Sequence, residues 1–295
     1  MTNEEIRSFL AVVRTGTLSD AAEHLYVTHP TLTQRITSLE KSLGYKLIER
    51  HPGVRKVKIT SRGEALIPIA EQWLNLSEAA RAIGNETPMD HFSIAAIESI
   101  STFIMAPICT KLINQYPNLR LKIKLQYSAN TYDDMHHHLV DLGIINNTQY
   151  SKDLLCRPSF QEDMFFVCKT GAGYSPVVHP RDLNGCNSIF VPWFNDFEVW
   201  YHYWFHDDPC RIYLQNINLL KICMDQGDGW TIVPASVANW LDSFPEFELH
   251  TIENGPGFRT NYFLTGKGED SPYILSVFDL LKNELAHHRG FRILF

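Results

Sequence analysis

The stretch VTHPTLTQRITSLEKSLG, Val27 to Gly44, opens on a threonine and a proline and then threads an apolar repeat through short polar side chains. Thr28 fits an N-cap, and Pro30 falls in a first helical turn, where a missing N–H costs little. Leu32, Ile36, Leu39 and Leu43 recur at i, i+4, i+7 and i+11. At about 100° per residue that spacing makes one narrow core stripe. Gly44 supplies the stop. Pro30, Gln34, Thr37 and Lys41 lie opposite the stripe, flanked by Thr31, Thr33 and Ser38, with Arg35 at the edge of the apolar side. Such groups can bond base edges and phosphates, and most are short enough for the backbone to come close, so this face suits a major groove.

Upstream, Ile6, Phe9, Leu10 and Val13 share one helical face, Thr2 and Glu5 form a capping box, and Gly16 ends the helix. A short second helix, about Leu18 to Leu25, is capped by Thr17. Two helices on a tight turn, the second polar outward and basic at its margins, predict a helix-turn-helix. Downstream, Tyr45–Glu49 and Val54–Thr60 read as a two-stranded wing around RHPGVRK, placing Arg50, Arg55, Lys56 and Lys58 beside the groove for phosphate contact. Ser61 and Glu64 read as a capping box opening a long helix through Ala65, Ile69, Trp73, Leu76 and Ala80 to about Ile83. Its apolar surface calls for a partner, and dimerisation is the expected use.

Charge separates this end from the rest. The 295 residues carry a net −7, yet residues 1 to 62 hold 10 Lys/Arg against 6 Asp/Glu, leaving 16 against 27 for the remainder. A basic patch on an acidic protein is the footprint of nucleic-acid binding at one end and a different task at the other. The 44% apolar and 20% charged residues are ordinary for globular cores. Met1 to Arg14 does not read as an export signal and no apolar run approaches a membrane span, so the expected location is cytoplasmic, with no membrane partner. The six cysteines are widely spaced without a CxxC pair, which argues against a zinc ribbon or thioredoxin-like motif. Neither a cofactor nor a metal site is expected.

Phe9 to Leu66 strongly resembles the amino-terminal domain of LysR-type transcriptional regulators. The likeness rests on Gly16-Thr17, Ala21-Ala22, Thr28-x-Pro30, Leu39-Glu40, Leu43-Gly44, Glu49-Arg50 and Thr60-x-x-Gly63. His29 departs from it, standing where the family commonly has glutamine. The resemblance implies an all-α winged helix-turn-helix domain (1–62), a linker and dimerisation helix (63–87), and an α/β two-lobed, periplasmic-binding-protein-like effector-binding domain (88–295). Its first lobe is expected over about 88–159 and 266–295, the second over about 160–265. The partners expected are double-stranded promoter DNA, a small-molecule effector, further copies of the chain as homodimer or homotetramer, and RNA polymerase. The DNA-binding candidates are Thr28, His29, Pro30, Thr31, Thr33, Gln34, Arg35, Arg50, Arg55 and Lys56.

In the remaining two thirds, HFSIAAI, a helix with Ile104, Ile108 and Leu112 in phase, LRLKIKLQY, and MHHHLVDLGII as helix running into strand give β-α-β-α-β order and a largely parallel sheet. Ligands in such folds lie at the carboxyl ends of strands. The effector-binding candidates are therefore Glu98, Ser99, Ser101, Thr102, Ser128, Asn130, Asn146, Trp193, Asn218 and Thr231, with Ser101 or Thr102 foremost. Each of them could equally be only a helix cap, and Glu98 weighs against a purely anionic ligand. His136–His138 read as a solvated helix face, since adjacent histidines on a helix diverge. Trp193–Phe205 packs eight aromatics into 13 residues, a core or interface pattern that could instead line a pocket. Cys186 and Cys210 fall where peroxide-sensing relatives use a cysteine pair, so a redox-responsive regulator is the alternative. A two-lobed binding protein or enzyme is the further rival, but no nucleophile–base set or phosphate-binding glycine loop appears.

Overall fold

The computed structural model describes residues 1–49, 56–82, 89–206, 210–268 and 271–295. It divides into two compact units, 1–89 with 137–139 and 90–136 with 140–295.

In the first unit, α1 (Asn3–Thr15) begins at a complete Thr2/Glu5 capping box and ends at Gly16 with φ 73°. Helix α2 (Leu18–His24) is capped by Thr17, and α3 (His29–Leu43) by Thr28, with Gly44 closing it at φ 78°. These ends follow local rules, which is why the sequence predicts them. Ile6, Phe9, Leu32, Ile36 and Leu39 are fully buried together. Strands β1 (Ile48–Glu49) and β2 (Lys58–Ile59) pair antiparallel. Glu40 is nine-tenths buried and accepts the Leu47 N–H at 2.9 Å and the Lys46 ammonium at 2.6 Å. That carboxylate fastens the start of the wing to α3.

Helix α4 (Ser61–Ala82) corrects the expected cap. Thr60, one residue earlier than Ser61, accepts the Gly63 N–H at 3.0 Å and donates to the Lys46 carbonyl at 2.8 Å. Leu66 and Ala70 join the core, whereas Ile69, Trp73 and Leu76 are 51%, 40% and 62% exposed. The expected helix end at Ile83 lies outside the described residues.

In the second unit, β3 (Asp90–Ala96) pairs parallel with β4 (Leu119–Leu125) and β5 (Leu142–Ile145). Helices α5 (Glu98–Phe103), α6 (Met105–Gln115) and α7 (Ser128–His136) connect them. The third of these differs from expectation. The helix lies upstream of the histidines and stops at His136, and His138 has φ 51°. His136–His138 therefore do not share a helix face.

Strand β6 (Leu154–Lys169) leaves this first lobe and continues through the second. The second lobe adds β7 (Val177–Val178), β8 (Ile189–Phe190), α8 (Asn195–Phe205), β9 (Ile212–Tyr213), α9 (Leu220–Gln226), β10 (Thr231–Pro234), α10 (Ala235–Leu241) and β11 (Phe247–Ile252). Strand β12 (Phe258–Gly266) then pairs antiparallel with β6 from Phe258↔Asp163 to Gly266↔Leu154 and returns to the first lobe. Helix α11 (Pro272–Leu285) buries Ile274, Val277, Leu281 and Leu285 in the first-lobe core, and β13 (Phe291–Ile293) joins β6. Among the described strands, parallel pairing is found in β3–β5 and the short pairs β7–β11 and β8–β9, while the long crossing strands are antiparallel. Phe197, Tyr201 and Phe205, at i, i+4 and i+8, sit in the second-lobe core, so most of the aromatic run is packing, as its helical spacing implies.

Candidate functional site

On the first unit, Thr28, His29, Pro30, Gln34, Thr37 and Lys41 are exposed along α3, and Lys56, bridged to Thr17 at the start of α2, is exposed too. Several expected contacts are occupied internally. The Thr28 hydroxyl caps the helix and meets the Thr31 hydroxyl at 2.8 Å, and Arg35 pairs with Glu4 at 3.0 Å. Thr33 is corrected: its hydroxyl is buried and faces no groove. Arg50 and Arg55 lie outside the described residues. The wing's return is anchored where the Val57 N–H reaches the Gly16 carbonyl at 2.9 Å.

On the second unit, a cavity of about 740 Å³ opens between the lobes. Five expected residues line it: Glu98, Ser99, Ser128, Asn146 and Trp193. Ser128 opens α7, and its hydroxyl accepts the Asn146 and Asn147 N–H groups, each at 3.2 Å. Asn146 donates in turn to the Trp193 carbonyl at 3.0 Å, joining the lobes across the floor. The Trp193 indole is held by the Ile232 carbonyl at 2.7 Å. Burial pushes the Glu98 carboxyl above its ordinary value, partly offset by a hydrogen bond from the Ile217 N–H.

The other five stand elsewhere. Ser101 lies about 200° round α5 from the lining residue Ser99, Thr102 is exposed near the end of that helix and outside the lining, and Asn130 is exposed on α7. Asn218 does not line the cavity but reaches Glu98 at 3.5 Å. Thr231 is corrected most clearly, being fully buried with its hydroxyl donated to the Ile189 carbonyl at 2.8 Å.

Residues not anticipated complete the wall, notably Arg259, Asp196, Glu198, Phe194 and Tyr262. The two acids alternate with rings inside the aromatic run NDFEVW, whose composition signals packing rather than charge. No local signal marks Arg259. Directly opposite Glu162 in the β6–β12 pairing, it forms a buried ion pair with it, donates to Ser99 Oγ at 2.8 Å, and lies 5.8 Å from the Trp193 ring centre. Glu162 also accepts the Asn261 amide and the Ser236 N–H, each at 2.8 Å, so it caps α10. Among the described residues the single lining cation is therefore already neutralised, while Glu98, Asp196 and Glu198 bring three carboxylates, and no nucleophile–base pair lines the cavity. A buried thiol, Cys168, does sit 3.7 Å from His250 elsewhere, but burial and the adjacent Glu248 carboxylate push it up to about 12, which makes it a poor nucleophile.

Known proteins match both units. The model of the bacterial regulatory helix-turn-helix protein, lysR family, covers residues 4–64, and the LysR substrate binding domain covers 85–286. The HTH-type transcriptional regulator HdfR of Yersinia pestis (strain Pestoides F) is 31% identical over 157 residues, 53% of each chain. The chain thus spans about half the length of the curated relatives it matches. The crystal structure of CbnR, a LysR family transcriptional regulator, superposes with TM-score 0.73 at 17% identity, covering 96% of this chain and 99% of that one. A full-length OxyR variant from Pseudomonas aeruginosa gives TM-score 0.62 at 20% identity, covering 99% and 98%. At these identities the superpositions speak for the fold. With family models covering the helix-turn-helix and most of the two-lobed unit, the chain belongs to the LysR family of bacterial transcriptional regulators.

Proposed function

We propose that the chain regulates transcription by reading promoter DNA with α3 and the wing, in paired copies, under control of a small organic cation held between the lobes. The exposed row Pro30, Gln34, Thr37 and Lys41, on a helix fixed by its cap and its buried stripe, carries the DNA half. Ile69, Trp73 and Leu76 leave an apolar stripe on α4 that a second copy would cover. RNA polymerase is the further partner at the promoter and the cytoplasm the place of action; no helix among the described residues is long and apolar enough to cross a membrane. Burial pushes the Cys210 thiol up, opposite to the thiolate character that peroxide sensing needs, so the small-molecule reading stands ahead of the redox one.

On a duplex selected from random sequence, Gln34→Ala is expected to weaken binding about 10–100-fold, the ~1–3 kcal/mol of one base-reading side chain. Lys56→Ala should weaken all sequences alike and shallow the salt slope by about one. Unchanged affinity in Gln34→Ala, measured by fluorescence anisotropy, would remove α3's outer row from the interface.

For the effector, the lining of three carboxylates, one neutralised arginine and several rings favours a cation with a flat or apolar body. A thermal-shift screen of amines against carboxylates of matching shape tests the class, because a ligand of the native state alone raises the melting temperature with concentration. Amines should shift it, less so in Glu98→Gln. The affinity should fall as pH drops through the Glu98 pKa, which burial holds above the ordinary carboxylate value, since protonation removes the negative charge. A shift by carboxylates alone would overturn the assignment.

A further inference from the structure

The second lobe contains a side-chain cluster that takes no part in the cleft. Cys168 on β6 and Glu248 on β11 are directly opposite in the antiparallel register, and His250 is two residues beyond Glu248. Opposed residues and i, i+2 neighbours share a sheet face, so backbone pairing alone brings thiol, carboxylate and imidazole together. Cys168 and His250 are at least nine-tenths buried, whereas Glu248 is 32% exposed and leaves one side open to water. None of the three lines the cavity between the lobes.

Their separations are specific. Cys168 Sγ is 3.6 Å from Glu248 Oε1 and 3.7 Å from His250 Nε2, and those last two atoms are 3.3 Å apart. Tetrahedral zinc with ordinary bond lengths, Zn–S about 2.3 Å, Zn–N about 2.05 Å and Zn–O about 2.1 Å, has ligand edges of roughly 3.6, 3.55 and 3.4 Å in the same order. The three atoms outline one face of such a tetrahedron.

The imidazole is also set in the right tautomer. His250 Nδ1 lies 2.7 Å from the Ser175 carbonyl, which can only accept, so Nδ1 carries the proton. Nε2 then turns a lone pair toward the carboxylate and the sulfur. A histidine whose far nitrogen donates to a backbone carbonyl is the usual outer support of a metal ligand. With Nε2 unprotonated, the two acceptor atoms at 3.3 Å and the sulfur beside them form a pocket of lone pairs that a cation replacing the thiol proton would fill.

We propose that Cys168, Glu248 and His250 bind a zinc-class divalent cation, which displaces the thiol proton to solvent and keeps water at the open fourth position, tying β6, β11 and the segment carrying Ser175 into one unit. A mixed S, N, O set of this kind suits Zn²⁺ and excludes calcium and magnesium, which want oxygen alone.

The test uses chelator-stripped full-length protein. Adding Co²⁺ should produce a sulfur-to-cobalt charge-transfer band that saturates at one ion per chain, and Zn²⁺ should displace it. Zn²⁺ should also raise the melting temperature. Cys168→Ser should abolish the band. Glu248→Gln, isosteric at a site one-third exposed, should weaken Zn²⁺ binding at least about 100-fold while keeping the metal-free melting temperature, since losing even an outer-shell partner costs ~10–100-fold. Cys109→Ser, outside the cluster, should bind like the wild type. Absence of the band in folded wild type, or its persistence in Cys168→Ser, overturns the site. Neither result bears on the DNA or effector reading.

Discussion

Glu162→Ala is expected to lower the stability of the two-lobed unit by about 3–5 kcal/mol. Glu162 is fully buried and receives Arg259, the Asn261 amide and the Ser236 N–H, so removing it strands a guanidinium in a site 2% exposed and uncaps α10. An unpaired buried charge is the costly half of a broken ion pair. For a unit of this size each kcal/mol moves the melting temperature by ~2–4 °C, so a drop on the order of 10 °C is expected by calorimetry. The double variant Glu162→Leu, Arg259→Met should recover much of the loss, because it removes the charge with its partner. A single variant melting within about 1 kcal/mol of the wild type would mean that water reaches the pair.

Gly63→Ala is expected to damage the other unit. A β-carbon there would lie 2.4 Å from the Leu47 carbonyl oxygen and 2.7 Å from Ile59 Cγ2. The first obstacle is backbone, which cannot rotate away, so the cost should reach or pass the upper end of the ~1–3 kcal/mol typical of overpacking. Because Thr60 ties the same turn to the Lys46 carbonyl, the start of α4 and the wing would part together, and affinity for the selected duplex should fall with stability. Unchanged denaturant midpoint and duplex affinity would show that the wing has room to retreat.

Sequence reading succeeded where the determinants are local. The ends of α1, α2 and α3 follow from Thr2, Thr17, Thr28, Gly16 and Gly44, each acting within a few residues. It slipped by one residue at α4, where Ser61-x-x-Glu64 imitates a capping box beside the working cap Thr60. It carried α7 too far before the strand Leu142–Ile145, because the residues after His136 keep an apolar spacing while the chain turns at His138. In the cleft, strand-end logic reached Glu98, Ser99, Ser128 and Asn146 but could not tell which side of α5 faces inward. Arg259 with Glu162, and Cys168 with Glu248, are pairs set by strand register. Register belongs to the assembled sheet and has no signature within either segment.

The β6–β12 ladder has a mechanical consequence. Two strands bonded side by side from Phe258 and Asp163, where β6 enters the second lobe, down into the first form a flat spring rather than a swivel: stiff along its length and in its plane, soft only to twist and out-of-plane bending. The lobes therefore cannot swing apart like jaws on a loose linker. An occupant of the cleft would be felt as a small change of torsion about this ribbon, with the Glu162–Arg259 clasp at the end of it nearest the second lobe. Amide exchange should stay slow along the ladder up to Glu162 and Arg259, whereas a jointed hinge would quicken it there.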